Sequence, residues 1–380
     1  MYKIHSDSLL YKFLLFIPFV GIISNKLNSI FAYSVIVFFI AIMLFFKINI
    51  NQVTKSQVFF LALVLLNLYI VYIYQLLVYD SSSAYFIQFF GSQVFFFLLF
   101  FLFLTIDKFY TKYIHRIFEY VIYLLFFFVV IDFILLSNGM ISSQLMYKPQ
   151  AWSYHTKPLG LFGQFSINTT YAVVFYLLYL SFQKVISIKK NILLFLLVTF
   201  IIILEDSGTG YIVYLFLLFT IFYRSSFFRF LIIPIAIVAM FYIIQNNLIV
   251  KLSAEYLAYL YDYFIEIFKI TYIDNIHNVF DFLFGINGNY NFPIDFGPMF
   301  MIAKVGFLYF FSYSLMIAYM IYKSPDRYFR MAIISLVIAN IHYPALFYPI
   351  MNLILPILLV YLLNIRQERK VLYEKNIICN

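Results

Sequence analysis

The chain has 380 residues, 65% of them hydrophobic and 11% charged, against about half apolar and about a quarter charged in an ordinary soluble domain. A water-soluble fold has no interior large enough to hide that much apolar surface. The formal net charge of +9 is read as a signal of loop orientation rather than of nucleic-acid binding, because basic residues in so apolar a chain set its topology.

The single cysteine, Cys379, excludes a disulfide framework and a paired-thiol metal motif. Phe, Tyr, Ile, Asn and Lys are over-used together, the mark of an AT-rich genome, so the aromatic share of 23% is given no carbohydrate-stacking role. The run from Leu9 to Ser24 has no small-residue cleavage site after it and is expected to be an uncleaved first span.

A helix needs roughly 20 apolar residues to cross the hydrocarbon. In chain order the expected spans are Leu9 to Ser24, Ser29 to Phe46, Val58 to Val78, Ala84 to Ile106 and Ile117 to Leu136, then Ile167 to Phe182, Asn191 to Leu204 and Tyr211 to Tyr223. Phe227 to Ile244, Met299 to Tyr322, Met331 to Ile341 and Ala345 to Leu363 follow. The expected fold is therefore all-α: one polytopic transmembrane domain, residues 1–380, of about twelve helices. The two halves differ in loop lengths and in where their polar residues fall, unlike a repeat-built transporter.

With the N-terminus inside, 19 of the 25 basic residues fall at cytoplasmic ends, every arginine among them, 5 fall outside, and Lys304 lies within a span. This assignment follows the resistance of basic loops to translocation. It leaves two long loops on the outer, periplasm-like face, 137–166 and 245–298. In the second, Lys251, Glu255, Asp262, Glu266 and Lys269 recur at helical spacing opposite Leu252, Leu260, Phe264, Ile267 and Phe268. That pattern is expected of a helix lying on the membrane surface or packed as a lid.

No HExxH, P-loop, dinucleotide fingerprint or closely spaced Asp pair occurs in the sequence. Catalysis, if present, must use a substrate that is already activated.

Three polar stretches stand out. Lys157 to Ala172 is a glycine-bearing turn that runs from the first outer loop into a span, Glu205-Asp206-Ser207-Gly208-Thr209-Gly210 separates two short spans, and His277-Asn278 is followed by Phe284 to Gly288, Asp295-Phe296-Gly297 and Lys304 to Phe307. The first resembles the loop-to-helix element of the O-antigen polymerase and O-antigen ligase superfamily. There a basic residue precedes a Gly-Leu-Phe-Gly-like turn and an Asn enters the helix, here Lys157, Gly160, Gly163 and Asn168. Lysine stands where the family usually has arginine, a point charge in place of a bidentate fork. The second stretch is similar to the family's Ser-rich break, again without its arginine, and the third to the segment ahead of its tenth helix. Between flanking spans of about 13 residues, or about 20 Å at 1.5 Å per residue, the second is expected either to sit below the membrane surface or to be a tight turn between longer helices. His342-Tyr343-Pro344 is expected to form an outer turn.

The resemblance implies transfer of a glycan from undecaprenyl pyrophosphate to a lipid-linked repeat unit, on the periplasmic face of a bacterial inner membrane. It implies neither metal nor cofactor. The expected partners are the undecaprenyl-pyrophosphate-linked oligosaccharide, membrane lipid and a chain-length regulator, not nucleic acid. His155, Lys157 and Lys304 are the candidates for the pyrophosphate, His277 for the base with His155 or Asp295 as its rival, and Gly160, Asn168, Ser207 and Asn278 for further substrate-binding positions. An O-antigen ligase uses the same donor and is the nearest alternative, and a lipid-linked oligosaccharide flippase is the alternative of another class.

Overall fold

A computed structural model describes residues 55–79, 114–139, 158–183, 187–222, 274–286, 296–348, 350–352 and 354–363, together with individual positions between 93 and 100 and between 258 and 269. The regular elements among the described residues are all helical, with no strand among them. Their elements are α1 (Lys55–Tyr79), α2 (Ile114–Ser137), α3 (Phe165–Phe182), α4 (Ile188–Glu205), α5 (Gly208–Phe222), α6 (Val279–Phe284), α7 (Gly297–Tyr322) and α8 (Arg327–His342). A 3-10 turn, Ala345–Phe347, and an apolar helix, Ile350–Leu363, follow.

Three helices, α2, α3 and α7, are long and apolar enough to cross a membrane. The outer faces of α1, α2 and α4 carry exposed Leu66, Phe127, Phe200 and Ile203. Apolar side chains spread over several helices in this way suit lipid as the surrounding solvent. The expected spans 9–24, 29–46 and 227–244, most of 84–106 and most of the surface helix 251–269 lie outside the described residues.

α3 is the central helix. It packs against α2, α4, α5 and α8, and 83% of its apolar window is buried. Two hydroxyls that accompany it inside are satisfied locally: Thr170 donates to the Ser166 carbonyl at 2.7 Å and Thr169 to that of Phe165 at 3.0 Å. The helix starts where the Gln164 side chain accepts the Ile167 N–H, meeting one of the donors that a helix start leaves open.

Contacts between helix ends fix relative direction. Lys190 reaches the Glu119 carboxylate at 2.8 Å, joining the starts of α4 and α2, and Ser181 donates to Asp326 at 2.7 Å, joining the end of α3 to the start of α8. At the other end of the bundle Asn168 meets Glu205, and Thr209 meets His342. Neighbouring helices therefore alternate in direction, and the polar stretches singled out in the sequence meet at one end.

α4 and α5 exceed the expected spans 191–204 and 211–223, since α4 begins at Ile188, ends at Glu205 and is followed by only Asp206 and Ser207 before α5. At 1.5 Å per residue α4 is about 27 Å long. The polar break is thus a tight turn between longer helices. Hydropathy ended the run early because Glu205 is polar, although its side chain is fully buried.

Candidate functional site

Residues 158–164 form a turn over the start of α3. Gly160 and Gly163 adopt left-handed backbone, with φ of 58° and 70°, a region open to glycine at little cost. Asp132, on α2 and fully buried, accepts the N–H of Leu159 at 3.1 Å and of Gly160 at 2.8 Å. Asn168 holds the same turn from the other side, accepting from the Phe162 N–H at 2.9 Å and donating to the Leu159 carbonyl at 2.6 Å. Its amide also donates to Glu205 at 3.0 Å. A β-carbon at Gly160 would lie 2.5 Å from the Asn168 amide nitrogen and 2.8 Å from the Glu205 carboxylate. Removing a carboxylate from water is costly unless polar donors replace the water, and here backbone N–H groups reach one oxygen of Asp132 and the Asn168 amide one oxygen of Glu205.

The turn after α4 docks on this assembly. Asp206 takes a left-handed conformation with φ of 42°, stopping the helix. Ser207 and Ser166 share a hydrogen bond at 3.0 Å, and a β-carbon at Gly210 would lie 2.6 Å from the Thr169 hydroxyl. Thr209 Oγ1 and His342 Nδ1 share a hydrogen bond at 2.9 Å, while the His342 carbonyl accepts the Phe296 N–H at 2.7 Å. The start of α7 is thereby fastened to the end of α8.

A second cluster is built on α6. Asn278 and Asp281 form a capping box, in which the Asn278 side chain accepts the Asp281 N–H at 2.9 Å and Asp281 accepts the Asn278 N–H at 3.2 Å. Asp281 also accepts the His277 N–H at 3.0 Å, and its second oxygen accepts the hydroxyls of Tyr74, at 2.8 Å, and Tyr79. Burial opposes ionisation of this carboxyl, but the hydrogen bonds from Tyr79, Tyr74 and the two backbone N–H groups prevail and hold it below its ordinary range.

α6 lies in a kink of α7. Gly306 has φ 77° and ψ 163° inside that helix, and a β-carbon there would collide with the Leu283 carbonyl. Such a kink takes nearby carbonyls out of the helical ladder, and each then needs another donor. The Ala303 carbonyl accepts the Ile286 N–H at 2.8 Å. The Gln75 amide donates at 2.9 Å both to the Lys304 carbonyl and to Phe284, the last residue of α6. Lys304 is buried, its ammonium 5.9 Å from the centre of the Phe300 ring, within cation–π range.

No family model matches the chain, and no curated protein does. The sequence-derived candidates divide into three groups. Gly160, Asn168 and Ser207 come together, buried, with their polar groups engaged in the turn. His277, Asn278 and Lys304 are joined through α6 and the α7 kink, with the His277 and Asn278 side chains exposed. His155, Lys157 and Asp295 lie outside the described residues. Among the described residues no hydrogen bond engages the His277 imidazole, and Asp281 accepts its backbone N–H.

Sequence reasoning passed over Asp132, Gln75, Tyr74 and Tyr79 as site residues. The signal for Asp132 was present: a lone carboxylate in the run Phe126 to Leu136 is an intramembrane charge, which calls for a named partner. Gln75 and the two tyrosines carry no comparable signal, since their partners lie more than two hundred positions away.

Proposed function

We propose that the chain is an O-antigen polymerase of about twelve spans in a bacterial inner membrane, acting on its periplasmic face. One observation supports this reading. Segments that resemble the superfamily and are far apart in sequence, the Gly160 turn, the Ser207 turn, the His277–Asn278 segment and the Lys304 kink, gather at one end of the helices. The excess of basic residues at the opposite helix ends supports an outward-facing polar end.

In the proposed reaction an acceptor hydroxyl of one lipid-linked repeat attacks the anomeric carbon of the donor glycan. The bond from that carbon to the pyrophosphate oxygen breaks, and undecaprenyl pyrophosphate leaves with the electron pair. The hydroxyl proton passes to a base, for which His277 is the candidate. Lys157, His155 and Lys304 supply positive charge where the leaving group becomes more anionic. Pyrophosphate is a good leaving group, so the reaction needs no nucleotide.

The test is deletion of the gene. Loss of a polymerase leaves lipid A core capped by a single repeat, and restoring the gene restores the ladder. Uncapped core with polymer left on the lipid carrier would instead assign the chain as the ligase. Undecorated core with repeats trapped on the cytoplasmic side would assign it as a flippase.

A further inference from the structure

A lone base on an outer segment is useful only if its backbone is held still. His277 lies just before the six-residue α6, which is too short to be stable alone. What fixes the segment is a set of side chains from α1, the helix most distant from it in sequence among those described. Asp281 binds on two sides: one oxygen takes the backbone N–H groups of His277 and Asn278, the other takes the hydroxyls of Tyr74 and Tyr79. Tyr74 also packs edge-on against Tyr79 and, with ring centres 5.4 Å apart, against Phe284. Gln75 closes the other end of α6 by spanning the Phe284 and Lys304 carbonyls.

We propose that Asp281, anchored by the hydroxyls of Tyr74 and Tyr79, is a positioning residue that sets the backbone of His277 for proton transfer. The inference rests on the polymerase reading and adds to it a device through which α1 governs the reacting end. Neither tyrosine needs to touch substrate. Each acts through the carboxylate, and the carboxylate acts through the N–H of His277. A peptide held from both sides keeps the imidazole within reach of the acceptor hydroxyl. Misplacement of a reacting group by about 1 Å can cost about a hundredfold.

The experiment uses the full-length protein in membranes. Tyr74→Phe with Tyr79→Phe removes two hydroxyls and keeps both rings, and Asp281→Asn serves as the second variant should the pair fold poorly. Polymer formation from purified lipid-linked repeats is followed at matched protein abundance. The expected result is a kcat lowered about ten- to a hundredfold with KM for the donor unchanged. In a His277→Ala background the same substitutions should cost nothing further, because their effect passes through that residue. Docking is read separately, with Cys379→Ser and a single Ile286→Cys, a position now buried against Ala303. A water-soluble maleimide should label it only when the tyrosine hydroxyls are absent.

An unchanged kcat in both variants overturns the proposal, whatever the labelling shows. So does an equal further loss in the His277→Ala background. If the unaltered protein forms no polymer, it is the polymerase reading that fails, and the labelling then decides the anchor alone: Ile286→Cys protected with and without the hydroxyls overturns it, and exposure only without them upholds it.

Discussion

The Asn168 side chain donates to the Glu205 carboxylate at 3.0 Å while holding Leu159 and Phe162 of the preceding turn. One amide thus joins α3, the end of α4 and the Gly160 turn in a region from which water is excluded. Asn168→Ala deprives the Leu159 carbonyl, the Phe162 N–H and Glu205 of that partner at once. A buried polar group left unsatisfied costs about 1–3 kcal/mol. The expected result is a clearly lowered unfolding midpoint in detergent, with loss of abundance in membranes. A midpoint equal to that of the unaltered protein would show that the network carries no stability.

Two glycines offer a matched comparison. Gly160 has a left-handed backbone and no room for a β-carbon, whereas one at Gly208, the first residue of α5, meets no atom within 4 Å. Gly160→Ala should destabilise strongly through both strain and collision. Gly208→Ala should be neutral or stabilise by up to about 1 kcal/mol, because it removes backbone freedom from the unfolded chain. Paired thermal denaturation of the two variants checks the order.

Much of the helix placement was legible because an apolar run leaves few alternatives: Ile117 to Leu136 reads as a span, and α2 runs from Ile114 to Ser137. The α6 cap was legible in principle, since Asn278 followed three residues later by Asp281 is a capping-box spacing. Hydropathy misplaced the end of α4, because it treats Glu205 as exposed when the side chain lies inside and accepts from Asn168. It was also blind to the kink at Gly306. A glycine within an apolar run reads as a small residue until the Leu283 carbonyl is found against it. The roles of Gln75, Tyr74 and Tyr79 depend on contacts between the first and last thirds of the chain, which no local pattern encodes.

Orientation is testable by reporters that are active only in the periplasm. The basic residues gather at the helix ends opposite the Asn168–Glu205 contact, as at Lys190 beside Glu119. Fusions after Gln150 and after Tyr272 should be active, and fusions after Lys112 and Lys370 inactive. Activity after Lys112 would invert the topology and move every proposed site residue to the cytoplasmic side.

Lys157 immediately precedes the turn that Asp132 and Asn168 hold. If its ammonium binds pyrophosphate, Lys157→Ala should shorten or abolish the polymer at unchanged protein abundance. Lys157→Arg should keep or improve activity, because guanidinium grips phosphate through two parallel hydrogen bonds. Electrophoresis of the lipopolysaccharide from each strain reads the outcome. A normal ladder of chain lengths in Lys157→Ala would remove the residue from the site.

The last prediction concerns the base. Attack on the donor anomeric carbon releases a proton from the acceptor hydroxyl, and a neutral imidazole can take it. The His277 side chain is exposed at the polar end of the bundle, beside a capping box that fixes its backbone. Its rivals are His155, in the expected loop 137–166, and Asp295, in the expected loop 245–298, and a carboxylate also serves as base in glycosyl transfer. His277→Ala, His155→Ala and Asp295→Asn should therefore be compared at matched expression, scoring polymer formed from purified lipid-linked repeats. His277→Ala is expected to lose at least about a hundredfold, the lower end for general acid–base catalysis, while donor binding persists. Normal polymerisation by His277→Ala together with loss in Asp295→Asn would transfer the role to the carboxylate and leave His277 only a place in the loop that Asp281 anchors.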